Sequence, residues 1–83
     1  MKIITKTEDN VVKIILPDST TVAITENEIT FNDDYGKNIY TDLNSTNATL
    51  YENITVPSGK TIQQHTFNGT SWADNPNYTT PLE

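Results

Sequence analysis

The chain has no cysteine and no arginine, one tryptophan, one histidine and only three glycines among its 83 residues. Without cysteine, disulfide staples and thiolate metal sites are excluded, and the redox compartment leaves no trace in the sequence. Five lysines against eleven carboxylates give a net charge of −6. Phosphate binding draws on clustered Lys and Arg, so nucleic acid is excluded as a direct partner. Long apolar runs are also missing. The opening "MKIITKTEDN" holds an apolar run of only two residues, which is neither a secretory signal nor a membrane span, so no membrane partner is expected and synthesis in a cytoplasm without export by an own signal is. Hydrophobic residues make up 34%, which implies a thin core and a surface of hydroxyls and amides that a partner subunit could complete.

What the chain does have is Thr, Asn, Ile, Val and aromatic residues, with few good helix formers, and this preference leans to sheet. The Asn and Thr excess, with lysine used to the exclusion of arginine, fits an AT-rich coding sequence. Turn signals recur: "EDN" at 8–10, "PDS" at 17–19, "ENE" at 26–28, "NDDYGKN" at 32–38, "NSTN" at 44–47, "PSGK" at 57–60 and "NG" at 68–69. That rhythm predicts one all-β domain over 1–83 with a short tail at 78–83. The expected architecture is a small antiparallel sandwich or barrel of about seven strands built from successive hairpins.

The first hairpin joins Lys2–Thr7 to Val11–Leu16, with Ile4 and the parity Val12, Ile14, Leu16 facing inward. Pro17 ends its second strand for want of an N–H. A second hairpin places Val22, Ile24, Ile29 and Phe31 on one face. In "NIYTDLN" the alternation puts Ile39, Thr41 and Leu43 on one side and Tyr40 and Asp42 on the other. "STNATLYENITVP" reads as a strand with Leu50, Ile54 and Val56 on one face, although Ser45 or Thr46 could cap a single helical turn at its start.

Candidate chemistry is sparse. His65 has no Ser, Cys or carboxylate at a spacing diagnostic of a triad, and reads as a histidine packed across a hairpin. Asn32 and Asp34, ahead of Gly36, are the weak candidates for a cation. They lack a third ligand before the glycine and a closing acidic residue, so a wide hairpin loop with solvated carboxylates is expected and no metal or cofactor. Asn-x-Ser/Thr triplets begin at Asn44, Asn47, Asn53, Asn68 and Asn77; without a secretory route they are composition and not glycan acceptors.

"HTFNGTSWADNPNY" at 65–78 is the most structured signal. If Asn68-Gly69 were a two-residue type I′ turn, Phe67 would face Thr70, Thr66 would face Ser71 and His65 would face Trp72. His65, Phe67, Thr70 and Trp72 would then share an aromatic face, and Asn75-Pro76 would end the strand. Trp72, Phe67 and Tyr78, with His65 and Asn75 beside them, are the candidate binding or interface residues: core or contact pieces first, a sugar platform second.

The order Val56-Pro57, then Phe67, Gly69-Thr70, Trp72 and Asn75-Pro76 resembles the C-terminal part of small uncharacterised proteins of marine bacteriophages, over about a third of the chain. Aromatic-x-Gly-Thr-x-Trp hairpins also recur in tail fibres and carbohydrate-binding modules. The resemblance implies a small virion-associated protein of the capsid surface or the tail. It carries over no catalytic residue. The expectation is therefore a non-enzymatic phage structural protein, located in the virion, that docks on and stabilises an assembly of other virion proteins or copies of itself. A carbohydrate-binding or adhesion module using Trp72 and Tyr78 is the alternative, and a small acidic inhibitor of a host protein the third.

Overall fold

Residues 1–76 are described in the computed structural model, so Tyr78 and the expected tail lie outside the described residues. The strands are β1 (Lys2–Lys6), β2 (Val12–Leu16), β3 (Val22–Ile24), β4 (Ile29–Asp33), β5 (Gly36–Tyr40), β6 (Ala48–Tyr51), β7 (His65–Phe67) and β8 (Trp72–Asp74). They form three antiparallel sheets, in the orders β2-β1-β6, β3-β4-β5 and β7-β8. The chain is all-β, with no helix among the described residues. Among the described residues the strands number eight where about seven were expected, and hairpins join β1 to β2, β3 to β4, β4 to β5 and β7 to β8. After β5 the chain bends at Thr41–Asp42 and crosses to pair β6 with β1.

β1 is the central strand of its sheet, and its sequence shows why. Successive residues of a strand point to opposite faces, so adjacent Ile3 and Ile4 supply an apolar side chain to each. Ile4 joins Ile14, Leu16, Ile29, Phe31, Leu43 and Ala48 in one cluster; Ile3 joins Val12 and Phe67 in another. Ile3, Ile4 and Ile29 have no exposed surface, and each such burial contributes about 1.5–3 kcal/mol. The sheet β3-β4-β5 covers the Ile4 face, while Tyr51, Ile54, Val56 and the β7–β8 hairpin cover the Ile3 face.

Three expected faces are corrected by backbone irregularities. Ile4 pairs with Ile14 but Thr5 pairs with Val12, so Lys13 is an extra residue in a β-bulge. A one-residue insertion reverses every side chain beyond it. Val12 therefore leaves the face of Ile14 and Leu16 for the opposite cluster. Leu50 likewise packs apart from Ile54 and Val56. The parity is broken at Asn53, whose φ of 59° is left-handed.

The third correction concerns β5. Its register opposes Ile29 to Tyr40 and Thr30 to Ile39. Tyr40 thus shares the inner face with Phe31 and stacks on it at 5.8 Å, the diagonal contact that antiparallel pairs allow. Ile39 points outward. Leu43 reaches the core only because the chain has turned beyond the strand. The second hairpin matches its expected face: Val22 and Ile24 oppose Phe31 and Ile29, and all four pack in the Ile4 cluster.

The turns before β6 and after β4 also differ from expectation. At 44–47 a single turn precedes β6, capped by Asn44 and not by Ser45 or Thr46. The Asn44 side-chain oxygen accepts from the Thr46 and Asn47 N–H groups at 2.9 and 3.2 Å. The 32–38 segment is no wide loop. Asp33 pairs with Gly36 across two residues, Asp34 and Tyr35, and the Asp33 carboxylate accepts the Tyr35 N–H at 2.8 Å.

Candidate functional site

The hairpin at 65–74 settles inside the fold. Its register is Phe67 opposite Trp72, Thr66 opposite Ala73 and His65 opposite Asp74, which replaces the expected two-residue turn by a four-residue loop over 68–71. A type I′ turn needs positive φ at both central residues, and here only Gly69 has it, at 102°. The Asn68 side chain organises the loop instead. Its Oδ1 accepts the N–H groups of Thr70 and Ser71 at 3.0 and 2.9 Å, an Asx arrangement that competes well with a backbone turn. Thr70 and Ser71 therefore leave the two faces they were expected to share.

The aromatic residues of the hairpin are core pieces. Phe67 is 3% exposed. It meets the Tyr51 ring edge-on at 5.2 Å and the half-buried Trp72 ring at 4.9 Å, the offset geometry aromatic pairs favour. The hairpin is also hydrogen-bonded to the edge of β2: Phe67 N–H donates to Asn10 O at 2.9 Å, Gln63 N–H donates to Val12 O at 2.7 Å, and Val11 bridges Thr66. Asn75 acts as a clamp. Its side chain donates to Gln63 O at 2.7 Å and its N–H to Gln64 O at 2.9 Å.

His65 is buried and accepts the Thr61 N–H on Nδ1 at 3.1 Å. That bond assigns the neutral tautomer with the proton on Nε2, which faces the exposed Asp74 carboxylate at 3.4 Å. The ring pins the 57–64 loop to the hairpin. Its lone pair and its proton are both directed at structural neighbours, which is the geometry of a packed histidine.

The weak cation candidates lie in the β4–β5 hairpin, in a different sheet. Asn32, Asp33 and Asp34 form one wall of an open cleft of about 560 Å³, with Pro17, Ser19 and Thr20 opposite. Asp33 is held below the ordinary carboxylate range, first by the Tyr35 N–H and then by the Asn38 side-chain amide, which donates to it at 2.9 Å. Asn32 sits in the β4 ladder opposite Lys37. Among the described residues no three His, Cys, Asp or Glu side chains are placed to hold a metal ion.

What sequence reading missed is the outer side of the β3-β4-β5 sheet. Tyr35, at the tip of the two-residue turn, is 99% exposed, and Ile39 on β5 is 54% exposed. Among the described residues β5 is an outer strand, paired with β4 alone. A tight turn between Asp33 and Gly36 would have signalled this, because a residue at the tip of a two-residue hairpin has no core within reach. No protein-family model matches the chain, and no curated protein or solved structure matches it significantly.

Proposed function

We propose that the chain is a non-enzymatic module that docks on a larger protein assembly, of the kind that the resemblance to phage virion proteins implies. The supporting observation is the exposure of Ile39, on the outer strand β5, and of Tyr35, in the turn that leads into it, in a sheet whose inner face is already filled. Isolated apolar residues on a surface are ordinary, but an aromatic with 99% exposure beside an open strand edge combines the two features that protein contacts use. Phe67 is engaged with both Trp72 and Tyr51, which favours the outer strand over Phe67 as a contact surface. The sugar-platform alternative rests on Trp72, half-buried beside Phe67, and on Tyr78, which lies outside the described residues.

Mass spectrometry of purified particles from the producing culture, paired with light scattering of the isolated chain, tests the proposal. Stoichiometric copies in the particle are expected, reduced strongly by Tyr35→Ser with Ile39→Ser. A strictly monomeric chain absent from particles overturns it.

A further inference from the structure

Resting on that docking reading, we infer the mode of contact and the chemistry of the partner: β5 receives an extended segment of a different protein, with basic residues at both ends of the segment, as an added strand. An outer strand presents unpaired N–H and C=O groups, because alternate residues of an antiparallel strand direct theirs away from the strand already paired. β5, with five residues, is longer than the outer strands β3, β6, β7 and β8, which have three, four, three and three; β2 is as long, but its pairing is bulged and its edge already accepts the Gln63 N–H at Val12 O. Its register against β4 runs through five pairs without a bulge, and it contains no proline. Of the devices that normally blunt an edge, only Lys37 is there. Ile39 and Tyr35 then offer the side-chain contacts that accompany main-chain pairing in strand addition.

Charge decides the occupant. One end of β5 carries Asp33 and Asp34; the other carries Asp42, with Glu28 next to the Ile29 that pairs with Tyr40. Lys37 lies between these acidic ends. A two-fold self-pairing of β5 is necessarily antiparallel, which would set the acidic start of one strand against the acidic finish of the other, twice over, between chains that each carry −6. Like charges at such distances oppose association. A second copy is therefore the wrong partner. A segment with Lys or Arg at its ends and a carboxylate or neutral residue at its centre complements the edge in either direction.

The test is an NMR titration of the full chain, ¹⁵N-labelled, with the capped peptide Lys-Thr-Val-Glu-Val-Thr-Lys and with its charge-reversed counterpart Glu-Thr-Val-Lys-Val-Thr-Glu. The expected result is shifts concentrated in the amides of residues 35–40, about tenfold tighter binding of the basic-ended peptide at low salt, and loss of most of that preference at ~0.5 M salt. No shift at millimolar peptide overturns the inference, as do equal affinities. Concentration-dependent broadening of 35–40 without peptide also overturns it, by assigning the edge to a second copy. If particles contain the chain but the peptide shifts residues elsewhere, strand addition at β5 falls while docking stands.

Discussion

Thr5 is where residue chemistry and fold conflict most sharply. It lies in the central strand with no exposed surface, opposite Val12 and Thr49. Its hydroxyl is buried without a hydrogen-bond partner among the described residues. Desolvating a hydroxyl without a replacement bond costs about 1–3 kcal/mol, whereas an isosteric methyl in the same place costs nothing of the kind. Thr5→Val is therefore expected to raise the unfolding free energy by about 1 kcal/mol, seen as a higher urea midpoint at unchanged slope. A lower midpoint would mean that the hydroxyl is satisfied in solution. His65 makes the opposite case, since its ring nitrogen supplies the acceptor that the Thr61 N–H needs.

Among the elements, the β7–β8 hairpin depends on a loop glycine in a way that the 57–60 turn does not. Gly69 and Gly59 both have left-handed φ, 102° and 86°. A side chain at either is strained, at about 1 kcal/mol. A Cβ at Gly69 would in addition lie 3.2 Å from the Tyr51 ring, while one at Gly59 meets nothing within 4 Å. Gly69→Ala is thus expected to destabilise by about 1 kcal/mol more than Gly59→Ala, measured by urea unfolding of the two variants. Equal losses would show that the loop does not rest on Tyr51.

How far these elements were legible depends on what each one needed. Strands with regular alternation, such as β3 and β4, could be read with their faces because period and register agree there. Pro17 and Pro76 marked strand ends for the plain reason that they offer no N–H. The bulge at Lys13 and the left-handed Asn53 could not be read, because each shifts parity without a residue type that demands it. Asn68-Gly69 misled for a definite reason: the dipeptide suits a two-residue turn, but the asparagine Oδ1 accepts two backbone N–H groups in a longer loop. The aromatic set His65, Phe67 and Trp72 was identified as a unit all the same, because moving from a two-residue to a four-residue loop keeps those three on one face. The exposed Tyr35 was missed because its segment was taken for a wide loop.

At the scale of the whole molecule, the proposed docking edge and the residues that hold the two clusters together belong to different sheets. The central strand β1, the bulged edge of β2 and the aromatic hairpin bind the fold together through Ile3, Val12, Phe67 and their neighbours. The β3-β4-β5 sheet contributes its inner face to the core and leaves its acidic, Tyr-tipped outer edge open. Residue-by-residue hydrogen exchange of the isolated chain reads both claims at once. The Phe67 amide, bonded to Asn10 O, should exchange with the slowest set, alongside Ile4 and Thr5, through global unfolding. The β5 amides that face the open edge should exchange faster by orders of magnitude. A Phe67 amide exchanging as quickly as the β5 amides that face the open edge would contradict the account, since the hairpin would then be an appended surface and not the element that closes the core.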